Sequence, residues 1–293
     1  MARLYVVGTP IGNLGELSPR ALEALRDCDL LLAEDTRVTR KLLTALDLHG
    51  KRLLSCFQHN EAGRAEEIVA RMSQEDLTVC LVTDAGTPCI SDPGYRVVEA
   101  AWEAGIPVQP ISGPSAVVDA VSVSGFAAES YAFFGFLPRQ GREREEAFAR
   151  LSACPTALAV LYESPHRVKR LVADLRDALR DPRLSLSCDL TKLHELTLRG
   201  RASDILAALE ANPNAEKGEY VCVVELPPPE EAEEETAPAV STRALLLDRL
   251  CAGATMKDAV REVSALPGQS RNAVYRASLE VADFLRQAAE EES

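Results

Sequence analysis

Three short apolar runs in this 293-residue chain each give way at once to a loop dense in glycine and proline. RLYVV (3–7) leads into GTPIGN (8–13), LTVCLV (77–82) into TDAGTPCISDPG (83–94), and PVQPI (107–111) into SGPSA (112–116). Glycine and proline punctuate regular structure, so the runs read as strands that stop where the loops begin. DLLLA (29–33) and RLLS (52–55) add two more strands. The segments between carry helical patterns. Ser18-Pro19 and Asp92-Pro93 each put a capping side chain before a proline suited to the first helical position. Strands alternating with helices read as βαβ units around a parallel sheet. In such sheets ligands bind beyond the carboxyl ends of the strands, where glycine permits positive φ and close backbone approach. The three loops thus define one sheet edge and one candidate pocket.

Past residue 113 the alternation loosens. Strands are expected at YAFFG (131–135), TALAVLYE (156–163), LSLSCDL (184–190), ELTLRG (195–200) and EYVCVVEL (219–226). The short spacing of LSLSCDL and ELTLRG suggests a hairpin, hence a mixed sheet. Ser164-Pro165 reads as a third helix start. The fold class expected is α/β: a parallel-sheet domain over 1–113 and a mixed-sheet domain over 114–226. The Pro- and Glu-rich stretch 227–240 reads as a linker unable to bury a core. Residues 241–293 form a helical unit with a glycine-containing turn before SRNAVYR, a helix-turn-helix pattern that serves nucleic-acid binding or dimer packing equally well.

At 46% hydrophobic and 26% charged residues, the composition is that of an ordinary globular protein with more than one core. No stretch approaches the roughly 18 apolar residues of a membrane span, and no secretory h-region opens the chain, so a cytoplasmic location is expected. None of the eight cysteines sits in a CxxC or near a histidine at zinc spacing. No metal is expected, and cysteines within TVCLV and YVCVV read as small buried hydrophobes. The net charge of −13 argues against indiscriminate polyanion binding. Much of it, however, sits in EEAEEE (230–235) and EEE (290–292). Residues 241–289 hold seven basic residues against five acidic ones, reversing the sign.

The common nucleotide and hydrolase motifs are missing. There is no GxxxxGK[ST], GTPIGN does not fit GxGxxG, and GxSxG and HExxH are absent. The pocket serves another ligand.

Eight motifs occur in order: GTPIGNLGELSPRALEAL, AEDTR (33–37), QHNE (58–61), DAGTPCISDPG, ISGPSA, FFGFLPR (133–139), YESPHR (162–167) and LTKLHE (190–195). Together, from about residue 4 to 226, they resemble the ribosomal RNA small subunit methyltransferase I family of the tetrapyrrole-methylase superfamily. The resemblance implies two α/β domains with S-adenosyl-L-methionine in the cleft between them and a homodimer. It also implies methylation of the ribose 2′-oxygen of a cytidine in the decoding region of small-subunit rRNA, as free RNA or within the 30S subunit. Carried over by motif, the cofactor contacts are Pro10 in the first loop and Asp84, Gly86, Thr87, Pro88 and Ile90 in the second. Ser115 and Ala116 follow in the third, and Tyr162, Thr191 and Lys192 in the second domain. Relatives that methylate tetrapyrroles carry a shorter GDP form at the second loop. GTPCISDPG here favours RNA over a macrocyclic substrate. A macrocycle methyltransferase and a non-catalytic nucleic-acid-binding protein working through 241–289 are the rival readings.

A ribose hydroxyl is a weak acid, so a base or a group that stabilises the alkoxide is expected. Asp35 and Glu163 are the first candidates, with Glu34, His59 and His166 beside them. Asp35 before Thr36 is equally placed to cap a helix, His59 to bond a loop, and Glu163 to hold a turn. Basic residues follow three motifs: Arg37, Arg40 and Lys41; Arg139, Arg142 and Arg144; Arg167, Lys169 and Arg170. Arg37, Arg139, Arg142 and Arg167 are expected to meet RNA phosphates.

Overall fold

The computed structural model describes residues 1–56, 61–226, 241–266 and 271–291. His59 and most of QHNE, the acidic stretch 227–240 and the glycine turn before SRNAVYR lie outside them. The chain divides into two units, 1–229 and 230–293.

The first unit holds two five-stranded sheets. The first sheet contains β1 (Arg3–Val7), β2 (Leu30–Ala33), β3 (Leu53–Ser55), β4 (Thr78–Val82) and β5 (Val108–Ile111), in the order β3-β2-β4-β1-β5. Every pairing in it is parallel. β2 and β4 are almost wholly buried, as strands covered by helices on both faces must be. Helices α1 (Pro19–Asp27) and α2 (Thr36–Ala45) cover one face through Leu25 and Leu43, against Val7, Leu31 and Val82. Helices α3 (Glu61–Glu75) and α4 (Tyr95–Glu103) cover the other through Ile68, Met72 and Val97, against Leu4, Leu32 and Leu81. Cys80 and Cys222 are buried within strands, which matches their reading as small hydrophobes.

The second sheet contains β6 (Tyr131–Phe136), β7 (Leu158–Glu163), β8 (Arg183–Cys188), β9 (Leu196–Arg201) and β10 (Tyr220–Glu225), in the order β6-β7-β10-β8-β9. Only β6–β7 is parallel. β8 and β9 pair antiparallel, as the hairpin reading requires, and the sheet is mixed. Helices α6 (Arg142–Ser152), α7 (Val168–Ala178) and α8 (Ala202–Ala211) contribute Leu151, Leu171, Leu175 and Ile205 to the core on one face. Helix α5 (Ala116–Ser124), fed by the third loop, packs Val117, Ala120 and Val121 against Val160, Val221 and Val223. Ile11 of the first loop joins this cluster, which is where the two sheets meet.

Ser18 caps α1 as expected, its side chain accepting from Ala21 N at 3.1 Å, with Pro19 in the first turn. Ser18→Ala is expected to cost about 1 kcal/mol in denaturant unfolding. The other two Pro-based helix starts need correction. Gly94, not Asp92, is the N-cap of α4, at φ 136°. A Cβ there would lie 2.8 Å from Leu81 Cδ2, so the chain enters that helix along a path closed to side chains and leaves Asp92 outside it. After Ser164-Pro165 a turn intervenes. Arg167 N bonds Ser164 O at 3.0 Å, and α7 begins three residues beyond Pro165 with Arg167 as its N-cap.

The second unit contains α9 (Thr242–Cys251), α10 (Met256–Val263) and α11 (Arg271–Glu291). Leu246, Val263, Val274 and Val281 are buried together at its centre. Ser241 and Thr255 cap the first two helices. Of its basic residues, Arg243 pairs with Glu280, Arg249 with Glu262 at 3.6 Å and Arg261 with Asp258 at 2.9 Å. Lys257 and Arg276 are exposed.

Candidate functional site

β4, β1 and β5 are consecutive neighbours in the first sheet, so the loops that leave them emerge side by side. Main-chain bonds then tie them together. Thr9 and Gly86 exchange N–H···O bonds of 2.9 and 3.1 Å, and the Thr9 hydroxyl donates to Thr83 O at 3.2 Å. Gly8 N bonds Ile111 O at 3.0 Å. Gly8 and Gly113 sit backbone to backbone: a Cβ on Gly113 would lie 2.7 Å from Gly8 O. The glycines therefore serve first to let the loops touch each other. The second loop is also contorted, with Cys89 at φ 71° and Ser91 at φ 64°; such strain persists where the surroundings over-determine it.

These loops and the edge of the second sheet enclose a cavity of about 360 Å³. From the loops it is lined by Ile11, Gly86, Thr87, Ile90, Asp92, Ser115 and Ala116, and from the second sheet by Phe136, Tyr162, Glu163 and Tyr220. Tyr220 stands opposite Glu163, and Val221 opposite Tyr162, in the antiparallel β7–β10 pairing. Phe133 and Phe136 meet the Tyr162 ring edge-on at 4.9 and 5.6 Å. Burial, with Asp92 and Asp119 nearby, pushes the Tyr162 phenol up to about 12, so it stays neutral at physiological pH.

Of the expected cofactor residues, Gly86, Thr87, Ile90, Ser115, Ala116 and Tyr162 line this cavity. Pro10, Asp84 and Pro88 belong to the same loops without forming its wall. Thr191 and Lys192 stand against the first loop: a Cβ on Gly12 would fall 3.1 Å from Thr191 Oγ1 and would collide with Lys192 Cγ. Lys192 Nζ bonds Asp189 and Glu219 at 2.8 Å each.

The two expected catalytic carboxylates are held differently. Asp35 caps α2, accepting from Arg37 N at 2.8 Å, and its Oδ2 receives Arg37 Nη2 at 2.6 Å. Those bonds hold its pKa down to about 2. It does not line the cavity. Glu163 does, with its side chain 1% exposed. Its Oε1 receives Ser164 N at 2.7 Å and Arg167 Nη2 at 2.5 Å, while Oε2 is buried without a hydrogen-bond partner. His166 is exposed.

Asp92, expected from its sequence context to cap a helix, belongs to the cavity instead. It is half-buried in the cavity wall, and its pKa is raised to about 6 by burial first, then by the charges of Glu34 and Asp84. Thr83 Oγ1 donates to Glu34 Oε2 at 2.6 Å, and Asp84 Oδ1 accepts from Asp35 N at 3.1 Å. The only sequence signal was its place in a loop longer than a strand-to-helix turn requires.

The basic sets do not all face outward. Arg144 is buried, with Nη2 2.6 Å from Asp174 Oδ2 and Nη1 2.8 Å from Pro138 O, which corrects its reading as part of an exposed basic set. Arg139 is exposed. Arg37 and Arg142 are exposed but paired with Asp35 and Glu146, and Arg167 is partly buried against Glu163. Among the described residues no cluster of His, Cys, Asp and Glu suits a metal ion, and no helix is long and apolar enough to cross a membrane.

Two joined α/β sheets with a strand-end cavity between them are the architecture of the tetrapyrrole methylases. The profile of the Tetrapyrrole (Corrin/Porphyrin) Methylases matches residues 3–206, and the chain belongs to that family. A diphthine synthase crystal structure superposes with a TM-score of 0.57 at 14% identity, over 76% of this chain and 89% of that one; at that identity the likeness shows the fold alone. Within the class, the chain belongs with the ribosomal RNA small subunit methyltransferase I proteins. It is 39% identical to the one from Escherichia coli O157:H7 over 95% of each chain. To that of Synechocystis sp. (strain ATCC 27184 / PCC 6803 / Kazusa) it is 38% identical over 96% of this chain and 99% of the relative.

Proposed function

We propose that the chain transfers a methyl group from S-adenosyl-L-methionine to the 2′-oxygen of a cytidine ribose in the decoding region of small-subunit rRNA. The observation that carries this reading is the cavity between the sheets, built where the three loops meet, in a chain similar over nearly its whole length to the rRNA methyltransferases. Its volume of about 360 Å³ falls within the range of small-ligand pockets, which are largely apolar with a few placed polar groups. Ile90, Phe136 and Tyr162 offer an apolar wall to an adenine ring. Glu34 and Asp84, just beyond β2 and β4, impose a negative field that suits a ligand carrying a sulfonium and an ammonium charge. The residues that would hold it are Gly86, Thr87, Ile90, Ser115, Ala116 and Tyr162, with Pro10, Asp84 and Pro88 behind them and Thr191 and Lys192 bracing the first loop. Bound there, the cofactor supplies an electrophilic methyl, so the protein's chief task is to align the acceptor oxygen.

Asp35 and Glu163 are the two carboxylates that the sequence puts forward as proton acceptors. Replacing each with its amide tests them: near-normal single-turnover transfer in both variants removes the pair from the chemistry. Arg37, Arg139, Arg142 and Arg167 are the proposed phosphate contacts, and a surface ion pair is weak enough to yield to a phosphate. Binding to small subunits is therefore expected to fall steeply with salt, and Arg139→Ala to reduce the slope of log K against log salt by about 0.7–0.9. A flat salt response would count against this surface. The function itself is tested by incubating purified small subunits with labelled cofactor and identifying the nucleoside. The expected product is 2′-O-methylcytidine; label in no nucleoside overturns the reading.

A further inference from the structure

Asp92 faces the cavity without a place among the expected cofactor contacts. We propose that Asp92 is the catalytic base, accepting the proton of the attacking ribose hydroxyl; the assignment rests on the methyl-transfer reading above. It shares the cavity wall with Gly86, Thr87 and Tyr162, so a group aligned on a ligand held by those residues comes within its reach. The groups facing it are Glu34 at the end of β2, Thr83 and Asp84 after β4, and Tyr162 on β7. Thr83 stands between the two carboxyls of Glu34 and Asp92. The Thr83 hydroxyl lies 2.6 Å from Glu34 Oε2 and also bonds Asp92. Burial and the charge of Glu34 raise the Asp92 pKa by more than that bond lowers it, so the carboxylate favours taking up a proton. With a pKa near 6 it remains mostly ionised at neutral pH and is a stronger base than an ordinary carboxylate, the compromise general bases require. Asp35 is committed to Arg37, and Glu163 directs Oε1 to Ser164 and Arg167.

In the step, the Asp92 carboxylate takes the hydroxyl proton as the ribose oxygen bonds to the methyl carbon. The carbon–sulfur bond breaks and its electron pair stays on sulfur. The products are a methyl ether, a neutral thioether and protonated Asp92, which returns its proton to water.

Three measurements on the full chain decide the matter. Single-turnover transfer to small subunits at saturating S-adenosylmethionine is followed over roughly pH 5 to 9, cofactor affinity is measured by calorimetry, and the carboxyl carbon of Asp92 is titrated by NMR in the free protein. The wild-type rate is expected to rise with pH and level off above about pH 6–7, with the NMR midpoint near 6. Asp92→Asn is expected to be slower by about 100-fold or more at pH 7, to lose that limb, and to bind the cofactor within about threefold of wild type. Asp92→Glu keeps a carboxylate, so it should retain the limb and recover part of the rate. An Asp92→Asn variant with near-wild-type rate, a surviving limb, or lost cofactor binding overturns the assignment. A wild-type chain that binds the cofactor yet transfers nothing overturns the functional reading instead, and the assignment with it.

Discussion

Gly113→Ala is expected to cripple both folding and cofactor binding. A Cβ at this position would lie 2.7, 2.8 and 2.9 Å from the carbonyl oxygen, carbonyl carbon and Cα of Gly8. All three are backbone atoms, so no side-chain rotation relieves the clash. The first and third loops must move apart, which strains the Gly8 N–Ile111 O bond and shifts Ser115 and Ala116 against the cavity. Overpacking of this kind costs about 3 kcal/mol, and a shift of an ångström in a binding wall costs affinity as well. Denaturant unfolding should show the loss, and calorimetry at a temperature where the variant is folded should show S-adenosylmethionine bound at least about tenfold more weakly. Gly141→Ala is the control: that glycine also has positive φ, at 74°, but a Cβ there meets nothing within 4 Å. It should cost stability without changing affinity. Equal affinity losses in the two variants would break the link between loop packing and the site.

Arg144→Ala should be the most destabilising change at a charged position in the second sheet's layer. The guanidinium, 8% exposed in its side chain, bonds Asp174 Oδ2 and Pro138 O, and it lies over the Phe148 ring at 5.1 Å. Truncation leaves the Asp174 carboxylate to solvent and to Arg170 Nε at 3.8 Å and leaves a carbonyl without its donor, a loss of about 1.5–3 kcal/mol. Replacing both partners, as Arg144→Met with Asp174→Leu, should recover much of that stability, because two apolar groups leave no uncompensated charge. Equilibrium unfolding of the single and double variants measures both. Small-subunit binding by the double variant should keep its wild-type salt slope, since Arg144 is turned inward. A reduced slope would return it to the RNA-facing set.

The strands are legible in this sequence because each run is bounded by residues that cannot continue it. β1 matches the RLYVV run residue for residue, and the other strands lie within one or two residues of their apolar runs. Burial on both faces of a parallel sheet removes the need for polar alternation, so LLLA and TVCLV stand out by composition alone. Helix starts fared less well. Ser18-Pro19 behaves as its local chemistry dictates, but Asp92-Pro93 and Ser164-Pro165 lie at the cavity, where the chain takes a turn before its helix begins. Capping is a local preference worth about 1 kcal/mol, and a loop fixed by tertiary contacts overrides it. The same limit applies to charge. The sequence counts Arg37, Arg139, Arg142 and Arg144 alike, and only the packing of α6 on α7 separates the buried one from the rest.

The sequence by itself determined that three strand-end loops exist, that they carry none of the common nucleotide motifs, and which family's motifs they hold instead. Those properties reside in residue types and short spacings. Tertiary structure decided that the loops form one frame, because the order β4-β1-β5 brings strands far apart in the chain into adjacency, and register is a property of the sheet. It also decided which glycines meet backbone, which arginine is buried, and which carboxylate faces the cavity with a raised proton affinity. Burial and the field of neighbouring charges set those outcomes, and both come from residues distant in sequence.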